Sequence, residues 1–266
     1  MNSYLQWAGS KQNLLKELVP ILTKHKKKIL AEPFIGAANV SLNFSTDRYI
    51  WNDLNSDLYY THKKILENPD EYIRECKSYF DRGLEDYLAI RDEFNSMEPK
   101  DRTALFQYLN KHGFNGLCRY NSKGKFNVPK GSSAGTYNEH LIQDVSSMFG
   151  GIVDIYNLGF EDIFEIIEKE EDVLVYCDPP YVPAVPSGSE VKYTTDGFTE
   201  QDQIKLKQRC LDSKHICVIS NHWTDFTKEL YKDADEIYTY DVRRTISCKG
   251  SERLPVKECI VVYLGK

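Results

Sequence analysis

Residues 29–38 read Ile29-Leu30-Ala31-Glu32-Pro33-Phe34-Ile35-Gly36-Ala37-Ala38, and the rest of the chain is interpreted from this segment. Its apolar beginning predicts a strand, and its small residues predict a tight turn into a helix containing Val40, Leu42 and Phe44. A second strand is predicted at 49–51 and a helix at 55–67. This order is typical of the opening of a doubly wound α/β sheet.

The remaining segments extend this prediction in both directions. A helix is expected at 11–23, where Pro20 kinks or ends it. Residues 69–112 are charged and helix-prone, and 113–137 are irregular. Further strands are expected at 151–156, 173–176 and 216–219, before a closing hairpin near 236–243 and 258–264. We therefore predict a Rossmann-like doubly wound mixed sheet with a C-terminal β-hairpin. Residues 1–56 and 145–266 form its catalytic domain, and 57–144 form an inserted, mainly helical recognition domain with a hairpin at 113–131.

Composition narrows the class of protein. The chain has 266 residues, 41% hydrophobic and 12% aromatic, which favours a globular protein over a disordered one. It contains no apolar run of the roughly 20 residues that a membrane span needs, and its N-terminus does not resemble a signal peptide. Its seven cysteines are scattered, with no C-x-x-C pair. This pattern indicates reduced thiols in the cytoplasm rather than disulfides or a zinc site, and no metal is expected.

The distribution of charge is more informative than its sum. A net charge of −6 argues weakly against nucleic-acid binding. Residues 102–138, however, contain no Asp or Glu. The basic residues of this stretch are Arg102, Lys111, Arg119, Lys123, Lys125 and Lys130. Such an island favours a phosphate-binding face, and the alternative is a solvated loop that happens to lack acids.

The segment Val173-Leu174-Val175-Tyr176-Cys177-Asp178-Pro179-Pro180-Tyr181 carries the chemistry. An Asp-Pro-Pro-Tyr block at a strand end resembles the signature of amino-group methyltransferases. The Asp178 carboxylate and the Pro179 carbonyl are suited to accept the two N–H bonds of an adenine amino group, which favours a lone pair aimed at a methyl donor. The two prolines fix the backbone, and Tyr181 offers a ring for a flipped base. A proline-rich loop capped by Asp178 is the structural alternative.

The block Gly113-Phe114-Asn115-Gly116-Leu117-Cys118-Arg119-Tyr120-Asn121 lies inside the basic island. It resembles the target-recognition hairpin of Dam-type DNA adenine-N6 methyltransferases of the D12 class, which act on GATC. The resemblance implies that Leu117 and Arg119 read bases and that Asn115 fills the gap left by the flipped base. Phe114 is a second candidate for the wedge. The expected DNA-binding residues are Gln6, Phe114, Asn115, Leu117, Arg119, Asn121, Lys125, Asn127, Pro129, Arg243, Arg244 and Lys249.

The N-terminal block Trp7-Ala8-Gly9-Ser10-Lys11 resembles the W-A-G-G-K element of the same family, with Ser10 in place of a glycine. The resemblance implies that Trp7 and Lys11 bind the methionine portion of S-adenosylmethionine. Gln6 stands where the family usually has a lysine that contacts the first guanine. Asp53 is placed to bind a ribose diol or, alternatively, to cap the next helix. The expected cofactor-binding residues are Trp7, Ala8, Gly9, Lys11, Glu32, Pro33, Phe34, Gly36, Ala37, Asp53, Phe160 and Asp178.

Together these elements imply an enzyme that methylates a flipped adenine in double-stranded DNA, at GATC, using S-adenosylmethionine. No protein partner is implied. An RNA or protein amino-group methyltransferase is the main alternative, since related blocks serve those substrates. A catalytically silent DNA-binding module is disfavoured by the intact block at Asp178 to Tyr181. His222 is expected to be structural rather than catalytic.

Overall fold

The structure is a computed structural model that describes residues 1–7, 11, 14–182, 197–242 and 256–266. Within these ranges, seven strands form one sheet in the order β3-β2-β1-β4-β5-β7-β6. The strands are β1 Ile29–Glu32, β2 Arg48–Asn52, β3 Val153–Tyr156, β4 Val173–Cys177, β5 Ile216–His222, β6 Glu236–Val242 and β7 Val256–Tyr263.

The first five strands are parallel, and β7 is antiparallel to both β5 and β6. The predicted mixed sheet and its closing hairpin are therefore confirmed. The strand order reverses between β1 and β4, which pair directly. In open α/β sheets, ligands bind beyond the carboxyl ends of the strands at such a switch point.

Helices cover both faces of the sheet. They are α1 Leu15–Lys24, α2 Ser56–Glu67, α3 Pro69–Phe80, α4 Tyr87–Phe94, α5 Thr103–His112, α6 Glu139–Phe149, α7 Phe160–Ile167, α8 Glu200–Asp212 and α9 Asp225–Leu230. Helix α1 continues past Pro20 to Lys24. None of the described helices is long and apolar enough to cross a membrane.

The helix expected after β1 is wrong, because only a 3-10 turn forms at Ser41–Asn43. Ala38 has a left-handed φ of 57°, and the backbone N–H of Ser41 donates to the Glu32 carboxylate instead of forming an α-helical bond. The chain is already extended at Phe44. An α-helix N-terminus therefore does not follow the turn after β1.

Two buried clusters lie on opposite faces of the sheet. One joins sheet residues such as Trp51 and Tyr176 to Tyr72 and Phe106 of the helical segment. The other packs sheet residues such as Val175 against α7 and α8. The helical segment thus shares a core with the sheet. The domain boundaries at 56/57 and 144/145 remain a prediction.

Candidate active site

The site is built at the carboxyl ends of β1, β2 and β4, and Asn52 fixes the first two against β3. Its side-chain amide Nδ2 donates to the carbonyls of Pro33 at 2.9 Å and Leu158 at 3.0 Å, while its Oδ1 accepts from Leu158 N at 3.0 Å. Asn52 is 1% exposed. Because every polar group of this buried amide is satisfied, Asn52 holds the carboxyl ends of β1, β2 and β3 in one arrangement.

Asp178 follows β4 directly, and two side chains bind its carboxylate. Lys11 Nζ lies 2.8 Å from Oδ1, and Ser220 Oγ donates to the same oxygen at 3.0 Å. Burial raises the pKa of Asp178 above its ordinary value, and the charge of Lys11 and the Ser220 hydroxyl oppose that rise. Lys11 therefore favours the ionised carboxylate, which is the form that accepts hydrogen bonds.

The two prolines after Asp178 present their carbonyls differently. The Pro180 carbonyl accepts from Gln203 Nε2 at 2.8 Å. No described residue donates a hydrogen bond to the Pro179 carbonyl. The Tyr181 ring lies beside them, with Lys11 Nζ 4.2 Å from its centroid and the His222 ring 4.8 Å away. Lys11 thus contacts both the Asp178 carboxylate and the Tyr181 ring.

His222 is held by the backbone. Its Nδ1 donates to the Val182 carbonyl at 2.7 Å, so its proton is engaged away from Asp178. The structural role of His222 stays a prediction.

The turn after β1 is stabilised by Asp53. Its Oδ2 accepts from Gly36 N at 3.0 Å and its Oδ1 from Asn55 N at 2.9 Å. Asn55 caps α2, because its side chain accepts from the backbone N–H groups of Asp57 and Leu58. Asp53 therefore does not cap the helix. Burial raises the pKa of Asp53 to about 6.

Gly36 has a φ of +50°, and a Cβ there would lie 3.2 Å from Trp7 Nε1. The indole therefore lies against the turn that Asp53 holds. Glycine is required at this position for both reasons, since the φ is left-handed and the approach is close.

His62 of α2 also holds this turn, and the sequence did not indicate it. Its Nε2 lies 2.7 Å from the Gly36 carbonyl and its Nδ1 contacts the Tyr4 hydroxyl. Because a carbonyl only accepts, Nε2 carries the proton and Nδ1 accepts from Tyr4. Burial lowers the pKa of His62 to about 4, which keeps the ring neutral.

Three aromatic rings meet beyond the ends of β1 and β3. The ring centroids of Phe34 and Phe160 are 6.0 Å apart, and Phe198 lies 5.7 Å from the first and 5.6 Å from the second. All three rings are partly exposed. Phe198, which precedes α8, was missed because nothing in its local sequence marks it.

Glu32 and Ala37 point inward. Glu32 is 2% exposed, and its carboxylate accepts from the Ser41 backbone N–H at 3.0 Å and from the Ser41 hydroxyl. The Ala37 carbonyl accepts from Ser3 Oγ at 2.6 Å. Glu32 and Ala37 thus stabilise the turn after β1 from its buried side.

The predicted recognition hairpin is a loop closed by bridges at Gly113–Lys130 and Tyr120–Phe126. A 3-10 turn at Phe114–Gly116 follows the outer bridge, where Asn115 has a left-handed φ of 54° and Phe114 is 44% exposed. An exposed aromatic ring beside an exposed amide is the feature expected of a wedge.

The residues around Arg119 have different roles in the loop: some are exposed cations, and others form its turn. Arg119 is exposed, and its Nε donates to Asn127 Oδ1 at 2.8 Å. Asn121 instead forms the turn by accepting from the backbone N–H groups of Lys123 and Lys125. Leu117 is half-buried, whereas Lys125 and Pro129 are exposed.

The basic island is smaller than its sequence suggests. Arg102 is 12% exposed and forms a two-pronged ion pair with Asp57, at 2.7 and 3.0 Å. Tyr120 donates to the same carboxylate. Arg102 is therefore not part of an exposed basic face, because its guanidinium joins Asp57 of α2 to the carbonyls of Phe94 and Met97.

Gln6 lies against the recognition loop with an exposed side chain. Its backbone N–H donates to Asn110 Oδ1 at 2.8 Å, and Asn110 Nδ2 donates back to its carbonyl at 2.6 Å. A Cβ on Gly116 would lie 2.3 Å from Gln6 Oε1. The two segments that the sequence assigned to base reading are therefore adjacent.

A family model described as D12 class N6 adenine-specific DNA methyltransferase matches residues 7–246. The chain belongs to this family. Curated relatives named DNA adenine methylase come from Escherichia coli strain K12 (37% identical), Haemophilus influenzae (38%) and Vibrio cholerae (35%). Each alignment covers 98% of this chain, and 95%, 93% and 95% of the respective relatives.

This D12 class methyltransferase thus acts on adenine in DNA at a specific site and uses a methyl donor. Several of its predicted site residues lie outside the described residues, namely Ala8, Gly9, Arg243, Arg244 and Lys249. The described ones fall into two groups: one surrounds Asp178 and the Gly36 turn, and the other lies on the recognition loop beside Gln6.

Proposed function

We propose that the enzyme transfers the methyl group of S-adenosylmethionine to N6 of an adenine flipped out of duplex DNA within GATC. One observation carries the proposal. At the switch point of the sheet, Asp178 and Pro179 follow β4 directly, and no described residue donates a hydrogen bond to the Pro179 carbonyl. Two acceptors in this position match the two N–H bonds of an adenine amino group.

The residues around the switch point fit S-adenosylmethionine. The Asp53 carboxylate, at the end of β2, is suited to accept from ribose hydroxyls, and the rings of Phe34 and Phe160 are suited to contact the adenine. Trp7 and Lys11 are suited to the methionine portion. When bound, the cofactor supplies an electrophilic sulfonium methyl group.

The chain's own residues prepare the target nitrogen. The Asp178 carboxylate and the Pro179 carbonyl accept its two N–H bonds, which directs its lone pair away from both acceptors. Lys11 keeps the carboxylate ionised, as its distance of 2.8 Å indicates. The Tyr181 ring stacks on the extruded base.

The recognition loop supplies specificity. Arg119 is proposed to read a guanine edge and Leu117 a thymine methyl group, while Phe114 and Asn115 occupy the gap left in the duplex. Gln6 is proposed to contact the first guanine, which its exposure beside Gly116 allows. We further propose that residues 57–144 form the recognition domain.

The test is transfer of labelled methyl groups to duplexes with GATC, each single-base variant of it and a scrambled control. Incorporation at GATC alone supports the proposal. Incorporation that tolerates changes at the first guanine would contradict the role of Gln6. Transfer to RNA or protein but to no duplex would contradict the proposal itself.

The catalytic role of Asp178 has a separate test. Asp178→Asn replaces one acceptor oxygen by a donor, and we expect it to lower the single-turnover rate by at least 100-fold, as removal of one preorganised group does. DNA binding should stay within threefold of the wild type. An active Asp178→Asn enzyme would show that the acceptor is misassigned.

A further inference from the structure

A buried amide pair, Gln203 of α8 and Asn221 of β5, holds the segment that carries Asp178. Gln203 is 1% exposed and Asn221 is 0% exposed. Their side chains meet through a hydrogen bond of 2.9 Å from Asn221 Nδ2 to Gln203 Oε1. Gln203 lies outside the sequence blocks that resemble the family, and Asn221 stands between Ser220 and His222 at the end of β5.

The pair binds both sides of Tyr181. Gln203 Nε2 donates to the Pro180 carbonyl at 2.8 Å, and Asn221 Oδ1 accepts from Val182 N at 3.2 Å. Backbone groups before and after the aromatic ring are thus fixed by side chains from two different elements.

The segment needs such support because of its prolines. Pairing between β4 and β5 ends at Cys177 and Ile219. Pro179 and Pro180 have no N–H, so the parallel ladder cannot continue through them. Side-chain amides supply the hydrogen bonds that the backbone cannot make.

The orientation of both amides follows from their partners. The Pro180 carbonyl only accepts, so Gln203 must present Nε2 to it and Oε1 to Asn221. Asn221 must then present Nδ2 to Gln203, which leaves Oδ1 for the N–H groups of Val182 and His222, at 3.2 and 2.9 Å. Asn221 Nδ2 also donates to the Tyr231 hydroxyl at 3.1 Å. Only one arrangement of the pair satisfies all of these groups.

We propose that Gln203 and Asn221 are positioning residues for methyl transfer. By occupying the Pro180 carbonyl and fixing the backbone on both sides of Tyr181, they leave the Pro179 carbonyl as the acceptor beside Asp178. They act through the backbone and touch neither the base nor the methyl donor. The inference rests on the proposed catalytic role of residues 178–181.

The start of α8 supports this role. Thr199 and Asp202 form a capping box in which each side chain binds the backbone N–H of the other. This cap fixes the first turn of the helix, and Gln203 is the next residue. The position of the amide therefore does not depend on a mobile helix end.

The decisive variant is Gln203→Met, which keeps the volume of the side chain and removes its donor. We expect the single-turnover rate of methyl transfer to fall 10- to 100-fold, because small displacements of reacting groups have costs of this size. Dissociation constants for S-adenosylmethionine and DNA should change less than threefold. Base flipping, measured by the fluorescence of 2-aminopurine at the target position, should persist.

Two more variants complete the experiment. Gln203→Glu is isosteric and, once ionised, puts an acceptor oxygen against the Pro180 carbonyl, so its rate should fall relative to the wild type as pH rises, even if Gln203→Met does not fold. Gln201→Glu makes the same change at an exposed position of α8 and should keep the wild-type rate. Combining Gln203→Met with Asn221→Ala should cost less than the product of the single losses, since both act on one segment.

The outcomes separate this inference from the proposed function. All rates are measured on DNA that the wild type methylates, whatever its sequence. If folded Gln203→Met, or Gln203→Glu at a pH where its carboxyl is ionised, retains the wild-type rate while Asp178→Asn is inactive, the positioning role alone is wrong. A fall in cofactor and DNA binding that matches the fall in rate would also overturn it. An active Asp178→Asn would instead overturn the proposed function.

Discussion

Arg119 presents an exposed guanidinium whose direction is set by one neighbour. Its Nε donates to Asn127 Oδ1 at 2.8 Å and its Nη2 to the Asn127 carbonyl at 3.3 Å. Asn127 N donates back to the Arg119 carbonyl at 3.1 Å. A side chain held in this way loses less conformational freedom when it meets a base edge.

Arg119→Ala should therefore reduce discrimination between the cognate site and its single-base variants. A bidentate contact to guanine contributes about 1–3 kcal/mol, so the preference should fall about 5- to 150-fold. Binding titrations on the cognate and variant duplexes measure this. Lys125→Ala, on the same loop, is the control, and it should weaken all duplexes alike and reduce the salt dependence. Equal losses on all sequences for Arg119→Ala would make it a phosphate contact.

At the scale of elements, the recognition loop is supported by α4 and by the residue that follows it. Tyr87 and Arg91 donate to the Val128 carbonyl at 3.1 and 3.2 Å. Asn95, which follows the helix, accepts from Phe126 N at 2.8 Å and donates to the Phe126 carbonyl at 3.0 Å. One side chain thus pairs with the loop backbone as a neighbouring strand would.

Asn95→Ala should weaken DNA binding while cofactor binding stays unchanged. It leaves two polar groups of Phe126 unpaired, which costs about 1–3 kcal/mol of local stability. Hydrogen exchange of the Phe126 amide and the two dissociation constants measure the effect. Ser96→Ala is the matched control, because the Ser96 hydroxyl donates to Glu93 and not to the loop. An equal loss of cofactor binding would show that Asn95 supports the whole core.

The elements also show what the sequence could predict. Apolar runs such as Val173 to Tyr176 indicated the strands correctly, because burial on both faces demands continuous hydrophobicity. The helix after β1 failed, because the contact from Glu32 to Ser41 and the left-handed Ala38 are tertiary features that local periodicity does not carry. Asn52, His62 and Gln203 were missed for the same reason: their hydrogen-bond partners lie far along the chain.

At the scale of the whole molecule, three buried titratable groups near the site have opposing effects on how the free energy of unfolding depends on pH. Burial raises the pKa of Glu32 to about 8 and that of Asp53 to about 6, and lowers that of His62 to about 4. The two acids hold their protons more tightly in the folded state, so their contributions to stability decline as pH rises. His62 acts in the opposite sense, since the unfolded chain binds its proton more tightly between pH 4 and 6.5.

Between pH 6.5 and 8, Glu32 is the one of these three whose folded state still loses a proton. Its contribution is fully present below its unfolded pKa of 4.5 and is lost as pH rises through about 8. The free energy of unfolding should therefore fall by roughly 2 kcal/mol over this window, because release of one proton corresponds to about 1.4 kcal/mol per pH unit. Glu32→Gln keeps an acceptor for Ser41 without a titrating proton, so its profile should be flatter than that of the wild type. Urea unfolding at both pH values measures this.

Glu229→Gln, at an exposed position, should keep the wild-type slope. Parallel profiles for the wild type and Glu32→Gln would mean that Glu32 is already ionised in the folded protein, held so by its two hydrogen bonds from Ser41.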